Sequence, residues 1–308
     1  MPAIHATPVP RYSCFLSEET GGGPDAAGLR VGTGVEVQLG STPSHRLMQA
    51  TPHRNRFLGG YPLVWVSHPV TGFAAPYWTP RSWGAALAQL RPGRPAPSLP
   101  APMVPALRAV GALTGPSVPN DQSQEHAFGA AAEHFRTFSH ATVSGLVPQA
   151  HLRALADYQR ALVGSGQVSL GDEQCGRRYG MYNEPMARFL LHQLAGAVSR
   201  VVGKPVLPAY SYSLIYEAGA VLAPHIDREQ CEYTVSLLIE GTAEGTWEPW
   251  PLWLKVAGKP VAVHQLPGDA LVFAGRRLPH WRDRLPDGRT STSLLLHYVD
   301  ETFTGVLR

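Results

Sequence analysis

Cysteine is close to absent: Cys14, Cys175 and Cys231 are the three in 308 residues, and they stand far apart. An odd, scattered set of thiols excludes a disulfide framework and a CxxC redox or zinc pair. Charge is sparse as well. Only 16% of side chains are charged, and 26 Lys and Arg against 23 Asp and Glu leave a net charge of +3. No five like charges run together, which argues against a nucleic-acid partner. No apolar run approaches the roughly 18–20 residues of a membrane span, so no membrane partner is expected. The opening residues, MPAIHATPVPRYSCF, lack a basic segment followed by an apolar one; no secretory signal is read, and a cytoplasmic protein is expected. Repeats of about 20–50 residues, collagen periods and sustained heptads are missing too, which removes solenoid and fibrous classes.

What is present is a globular composition. Hydrophobic residues make up 44% of the chain, and 29 Pro and 31 Gly cut it into short pieces. That suffices for a sizeable core in one large domain or two smaller ones. Residues 1 to about 57 are a patchwork of Gly, Pro, Thr and Arg, with one possible strand at Val31–Leu39. Leu63–Val66 reads as a strand, Thr71-Gly72 as a turn, and Trp83–Leu90 as a short helix with Ser82 as its cap. Prolines 92, 95, 97, 100, 102 and 105 mark an extended connector, and a short helix at Val104–Leu113 follows. The break Gly115-Pro116-Ser117-Val118-Pro119-Asn120 places a domain boundary near residue 120.

Beyond it the texture changes. Helical spacing covers Glu125–Phe138 and Gln149–Leu162, with a strand at Ala141–Val147 between them. A long helix is expected over Pro185–Val202, with Pro185 in its first turn, Asn183 or Glu184 as cap and Gly203 as its end. From residue 206 the pattern is one of short strands: 209–216, 232–239, 251–256, 261–266, 270–274 and 290–299. Helices first and strands after give an α+β chain whose β half is a sandwich or closed double sheet.

Of thirteen His, only His225 has a carboxylate two residues on, in His225-Ile226-Asp227. On an extended segment residues i and i+2 point the same way, so both can reach one cation. His280, in the loop after the strand Ala270–Phe273, is the best third ligand. Two His and one carboxylate on one face of an octahedral ion leave three positions open, as in non-haem Fe(II) centres. A cosubstrate such as 2-oxoglutarate carries a distal carboxylate that needs a cation, and the planar fork of Arg suits it. Arg289 lies nine residues after His280, at the start of a strand whose alternation puts Arg289, Ser291, Ser293, Leu295 and His297 on one face. Arg282 and Arg284 precede that strand and read as exposed loop charges. Tyr210, Tyr212, Leu214 and Tyr216 share a face of the strand before His225.

The run Tyr216-Glu-Ala-Gly219, Pro224-His225-Ile-Asp227, Pro267-Gly268-Asp269-Ala-Leu-Val-Phe273, His280 and Gly288-Arg289-Thr-Ser291 resembles the Fe(II)/2-oxoglutarate-dependent dioxygenases of the prolyl-hydroxylase-like type. The resemblance covers roughly residues 125–308. It implies a double-stranded β-helix, or jelly roll, flanked by helices, with residues 1–120 as an N-terminal accessory region. It implies His225, Asp227 and His280 as iron ligands and Arg289 as the 2-oxoglutarate anchor, with Ser291 and Tyr216 as helpers. Fe(II), 2-oxoglutarate and O2 are then the cofactor and cosubstrates of a hydroxylase acting on a small molecule or a peptide. Asp227 fills the position that related halogenases give to a small residue, which disfavours halogenation.

Other residues have plainer readings beside functional ones. Arg228 is a candidate clamp for a substrate carboxylate, or an ion-pair partner of Glu229 or Glu232. His297 reads as a core or rim residue. Trp247, Trp250 and Trp253 wall a cleft or pack a Pro-rich loop. Two competing functions stand against the oxygenase. One is a non-catalytic peptide-binding module on a jelly-roll scaffold, suggested by a faint likeness of 61–113 to winged-helix units that hold leader peptides. The other is a cupin-like zinc hydrolase or isomerase, which gives Arg289 no task.

Overall fold

The computed structural model describes residues 8–17, 26–40, 45–50, 54–115, 121–243 and 248–307. Its contacts divide into two compact units, Tyr12–His126, and Ala127–Arg308 together with the stretch before Tyr12. Among the described residues, no helix is long and apolar enough to cross a membrane.

The Tyr12–His126 unit contains β1 (Arg30–Val31), β2 (Val35–Gln38), α1 (His45–Ala50), β3 (Leu63–Ser67), β4 (Ala74–Trp78), α2 (Gly84–Leu87), α3 (Met103–Ala109) and β5 (Leu113–Thr114). Strands β2, β3 and β4 form an antiparallel sheet, and β1 pairs with β5. The single strand expected over Val31–Leu39 is therefore two. Gly34 turns the chain between them where a Cβ would stand 2.7 Å from Ser67 O, so only glycine fits. Strand β4 has no forerunner in the sequence reading, and it carries Pro76. It lies at the end of the three-strand order, where a missing N–H is tolerated. Trp65, Tyr77 and Trp78 fill the core of this unit.

The other unit begins within α4 (Asp121–Phe138) and continues through β6 (His140–Val143), α5 (Gln149–Gly164), β7 (Arg178–Tyr182), α6 (Pro185–Val202), β8 (Val206–Tyr216), β9 (Leu222–His225), β10 (Tyr233–Ala243), β11 (Leu252–Val256), β12 (Lys259–Val263), β13 (Ala270–Phe273), β14 (His280–Arg282) and β15 (Arg289–Asp300). Two antiparallel sheets result. One has six strands in the order β6-β13-β10-β15-β8-β7, the other four in the order β12-β11-β14-β9. The α+β layout is as expected.

Helix α6 is built by its own ends. Pro185 needs no N–H partner there, and the Glu184 carboxylate accepts from Met186 N and Ala187 N at 2.9 and 3.1 Å. Tyr158 on α5 donates to the same carboxylate at 2.6 Å. Gly203, at φ 81°, closes the far end in the left-handed conformation. The helix packs on β8 and β15, and Tyr298 of β15 donates to Leu191 O at 2.8 Å. That contact turns the even-numbered residues of β15 toward α6. Ser293, Leu295 and His297 consequently face a cavity between the two sheets. Leu252 and Leu254 of the small sheet pack with Leu271 and Phe273 of the large one beside it.

Candidate metal centre

His225 ends β9 and His280 opens β14, and the two are direct partners across that antiparallel pair. The expectation of a loop at His280 is corrected here. The residue begins a strand of three, too short to leave a periodic signal. Each ring is oriented by its own backbone: His225 Nδ1 lies 2.9 Å from Ala223 O, and His280 Nδ1 3.0 Å from Leu278 O. A carbonyl only accepts, so Nδ1 carries the proton on both rings and Nε2 keeps its lone pair. Burial holds the His280 imidazole below its ordinary pKa, against the opposing pull of Asp227. That favours the neutral, ligating form.

Asp227 lies just past β9, after the exposed Ile226, and its N–H donates to Gly275 O at 3.0 Å. Asp227 Oδ1 stands 3.6 Å from His280 Nε2 and 4.0 Å from His225 Nε2. These distances are too long for hydrogen bonds. Two ligand atoms each about 2.1 Å from a single ion are at most about 4.2 Å apart, so an ion fits between either imidazole and the carboxylate. The donor atoms of all three residues lie within 4.8 Å of one another. The three predicted ligands are thus brought together.

They open onto a cavity of about 700 Å3. Tyr182, Tyr210, Tyr212 and Tyr216 line it along β7 and β8, and Arg228 stands at its exposed rim. Arg178 lines it too, but its charge is taken by Asp172, Nε to Oδ2 at 2.6 Å.

Arg282 departs most from the sequence reading. It is no exposed loop charge but a buried side chain, 4% accessible, on the same strand as His280 and lining the same cavity. Its Nη1 donates to Trp250 O at 2.6 Å, and its guanidinium lies 4.6 Å from the Trp250 ring. Among the described residues no carboxylate pairs with it, and burial pulls its pKa down to about 10. Ser293 Oγ, also on the cavity wall, is buried with no hydrogen-bond partner among the described residues. Arg289 and Ser291 line a smaller neighbouring cavity with Trp250, and Arg282 borders both. There Arg289 Nη2 is 3.7 Å from Glu248 Oε2. Arg284 is exposed beside Asp287, as expected. Trp253 stacks on Trp281, while Trp247 lies outside the described residues.

Sequence reasoning gave no place to Thr234, which lines the cavity, or to Gly275, whose carbonyl takes the Asp227 N–H; it put Ser293 on the right face without a role and read Arg282 as a loop charge. Arg282 too had left a signal: at two residues from His280 it shares that residue's side of any strand.

No family model matches the chain, and no curated protein matches it. Solved structures do. A prolyl hydroxylase from Trichoplax adhaerens, in complex with a hypoxia inducible factor oxygen degradation domain peptide fragment, is 16% identical, with a TM-score of 0.50 over 60% of this chain and 94% of that one. The prolyl-4-hydroxylase of Pseudomonas putida is 20% identical, with a TM-score of 0.47 over 56% and 99%. HygX from Streptomyces hygroscopicus, with nickel, 2-oxoglutarate and hygromycin B bound, is 13% identical, with a TM-score of 0.46 over 57% and 88%. The likeness to the Trichoplax protein is one of fold.

Proposed function

We propose that this chain is an Fe(II)- and 2-oxoglutarate-dependent oxygenase hydroxylating an unactivated C–H bond of an amino acid, a peptide side chain or a small metabolite. One observation carries the reading. Two imidazole Nε2 atoms with free lone pairs and one carboxylate oxygen converge on a point that opens into a large cavity. The fold shared with a prolyl hydroxylase supports it, and on this reading the two antiparallel sheets are those of a double-stranded β-helix. Bound there, iron supplies oxygen activation coupled to the decarboxylation of 2-oxoglutarate, giving succinate, CO2 and a hydroxylated product.

His225, Asp227 and His280 hold the metal from one side and leave the cavity side open. Arg282 takes the distal carboxylate of 2-oxoglutarate. It is a buried cation lining the cavity, with no carboxylate paired to it among the described residues, and it stands two positions from His280 on the same strand, on the side that His280 shares. Tyr216 and Ser293 line the cavity beside it and add hydrogen bonds. Arg289 and Ser291, expected to fill these roles, line the neighbouring cavity that Arg282 also borders, where Arg289 adds a second positive charge and Ser291 a hydroxyl. Arg228, at the rim, is the candidate contact for a substrate carboxylate.

Residues 121–308 are assigned the chemistry and residues 1–120 substrate recognition, since every candidate metal group among the described residues lies beyond residue 220. Cys14, Cys175 and Cys231 are buried free thiols, in keeping with a reducing, cytoplasmic setting. Anaerobic Fe(II) loading with and without 2-oxoglutarate tests the function. A visible charge-transfer band that needs both is expected; its absence at saturating iron and 2-oxoglutarate refutes the reading.

A further inference from the structure

We infer that Thr234 and His297 are positioning residues that hold Asp227 as a ligand through one oxygen only. The inference rests on the metal reading above and concerns groups that reading does not use.

Thr234 Oγ1 lies 2.6 Å from Asp227 Oδ2 and 3.1 Å from His297 Nδ1. A carboxylate only accepts and a hydroxyl has one proton, so Thr234 donates to Asp227. The remaining contact can be a hydrogen bond only if His297 Nδ1–H donates to Thr234. Geometry alone therefore fixes the direction of a two-step chain, from His297 through Thr234 to Asp227. Oδ2 is engaged by that chain, and Oδ1 is left facing the two Nε2 atoms. A carboxylate bound through both oxygens would fill a further coordination position, which a chelating keto acid and O2 both require.

The support is rigid. Thr234 is 1% accessible and pairs with Phe273 on one side and His297 on the other, in the interior of the six-stranded sheet. The His297 ring lies 4.4 Å from that of Tyr210. Tyr210 in turn meets Cys231 Sγ at 2.9 Å, so the thiol that shares a donor group with Asp227 and His297 is already engaged. Partners of this kind typically change metal affinity by about 10–100-fold when removed.

Co(II) binding by the intact chain, followed by its visible spectrum and by competition with a chelating dye, reads the effect without turnover. Thr234→Val, isosteric but without the hydroxyl, is expected to weaken Co(II) binding by about 10–100-fold and to alter the ligand-field bands. Thr234→Ser should restore both. His297→Asn, whose amide N–H replaces Nδ1–H, should stay close to wild type, whereas His297→Leu should match Thr234→Val. If Thr234→Val does not fold, the His297 pair decides alone. Lower thermal stability with wild-type Co(II) affinity and spectrum in Thr234→Val and His297→Leu would make the chain merely structural and overturn the inference. A wild-type protein that takes up no Co(II) overturns the metal reading itself, and the inference falls with it.

Discussion

Gly275 and Asp227 touch as closely as two residues can: the Asp227 N–H donates to Gly275 O at 3.0 Å, and a Cβ built on Gly275 would overlap Asp227 Oδ2 and stand 2.7 Å from Thr234 Oγ1. The glycine is needed here for space and not for a left-handed backbone, since Gly275 is not among the glycines with positive φ. The proposed metal site thus depends on a residue with no side chain at all.

Gly275→Ala is therefore expected to push the Asp227 carboxylate off its position and to weaken divalent-metal binding at least tenfold. The global fold should survive, because the turn's backbone conformation suits alanine. Equilibrium dialysis with Co(II) and a thermal melt of the metal-free protein measure the two effects separately. Wild-type affinity in this variant would show that the carboxylate has room to spare.

Ala at His225, Asp227 or His280 should remove metal binding and turnover together, because two remaining ligands hold a labile divalent ion poorly. Iron content after anaerobic dialysis is the check. Full occupancy and undiminished turnover in all three single variants would eliminate the assignment.

Arg282→Leu should raise the 2-oxoglutarate requirement by about 30-fold to several-thousand-fold while leaving the metal bound, which corresponds to roughly 2–5 kcal/mol for truncating one member of a buried charge pair. Arg289→Leu should have the smaller effect, since Arg289 borders only the neighbouring cavity. Titration of the charge-transfer band with 2-oxoglutarate gives both numbers. The reverse order would return the anchor to Arg289.

Stability should also fall in acid through a group remote from the site. His151, on α5, is fully buried, and burial lowers its pKa from 6.5 to about 3. Between these values the unfolded chain binds a proton that the folded chain does not, so stability is complete above pH 6.5 and declines as pH falls toward 3. The loss is on the order of a few kcal/mol. Urea unfolding of the metal-free protein at several pH values should show this slope, and His151→Phe should flatten it.

Much of the fold was legible in the residues because much of it is local. The bounds of α6 follow from Pro185 and Gly203, and the alternation along β8 and β15 already sets Tyr210, Tyr212 and Tyr216, and Ser293 and His297, on their cavity faces. The His225-Ile226-Asp227 spacing likewise carries its own geometry. Strands β9 and β14, at four and three residues, escaped notice because nothing in so short a run is periodic.

What the chain could not announce is what arrives from far along it. Arg282 reads as a loop charge until β14 pairs with β9 and β11 and closes it in. Thr234 and His297 are 63 residues apart and meet only because β10 and β15 pair in that register. Sequence alone determined the longer elements and the candidate ligand set His225, Asp227 and His280, since propensity, capping and alternation act within a few residues. Tertiary structure decided which cation is buried and which oxygen of Asp227 is free, because burial and hydrogen-bond direction are set by strand pairing across the whole sheet.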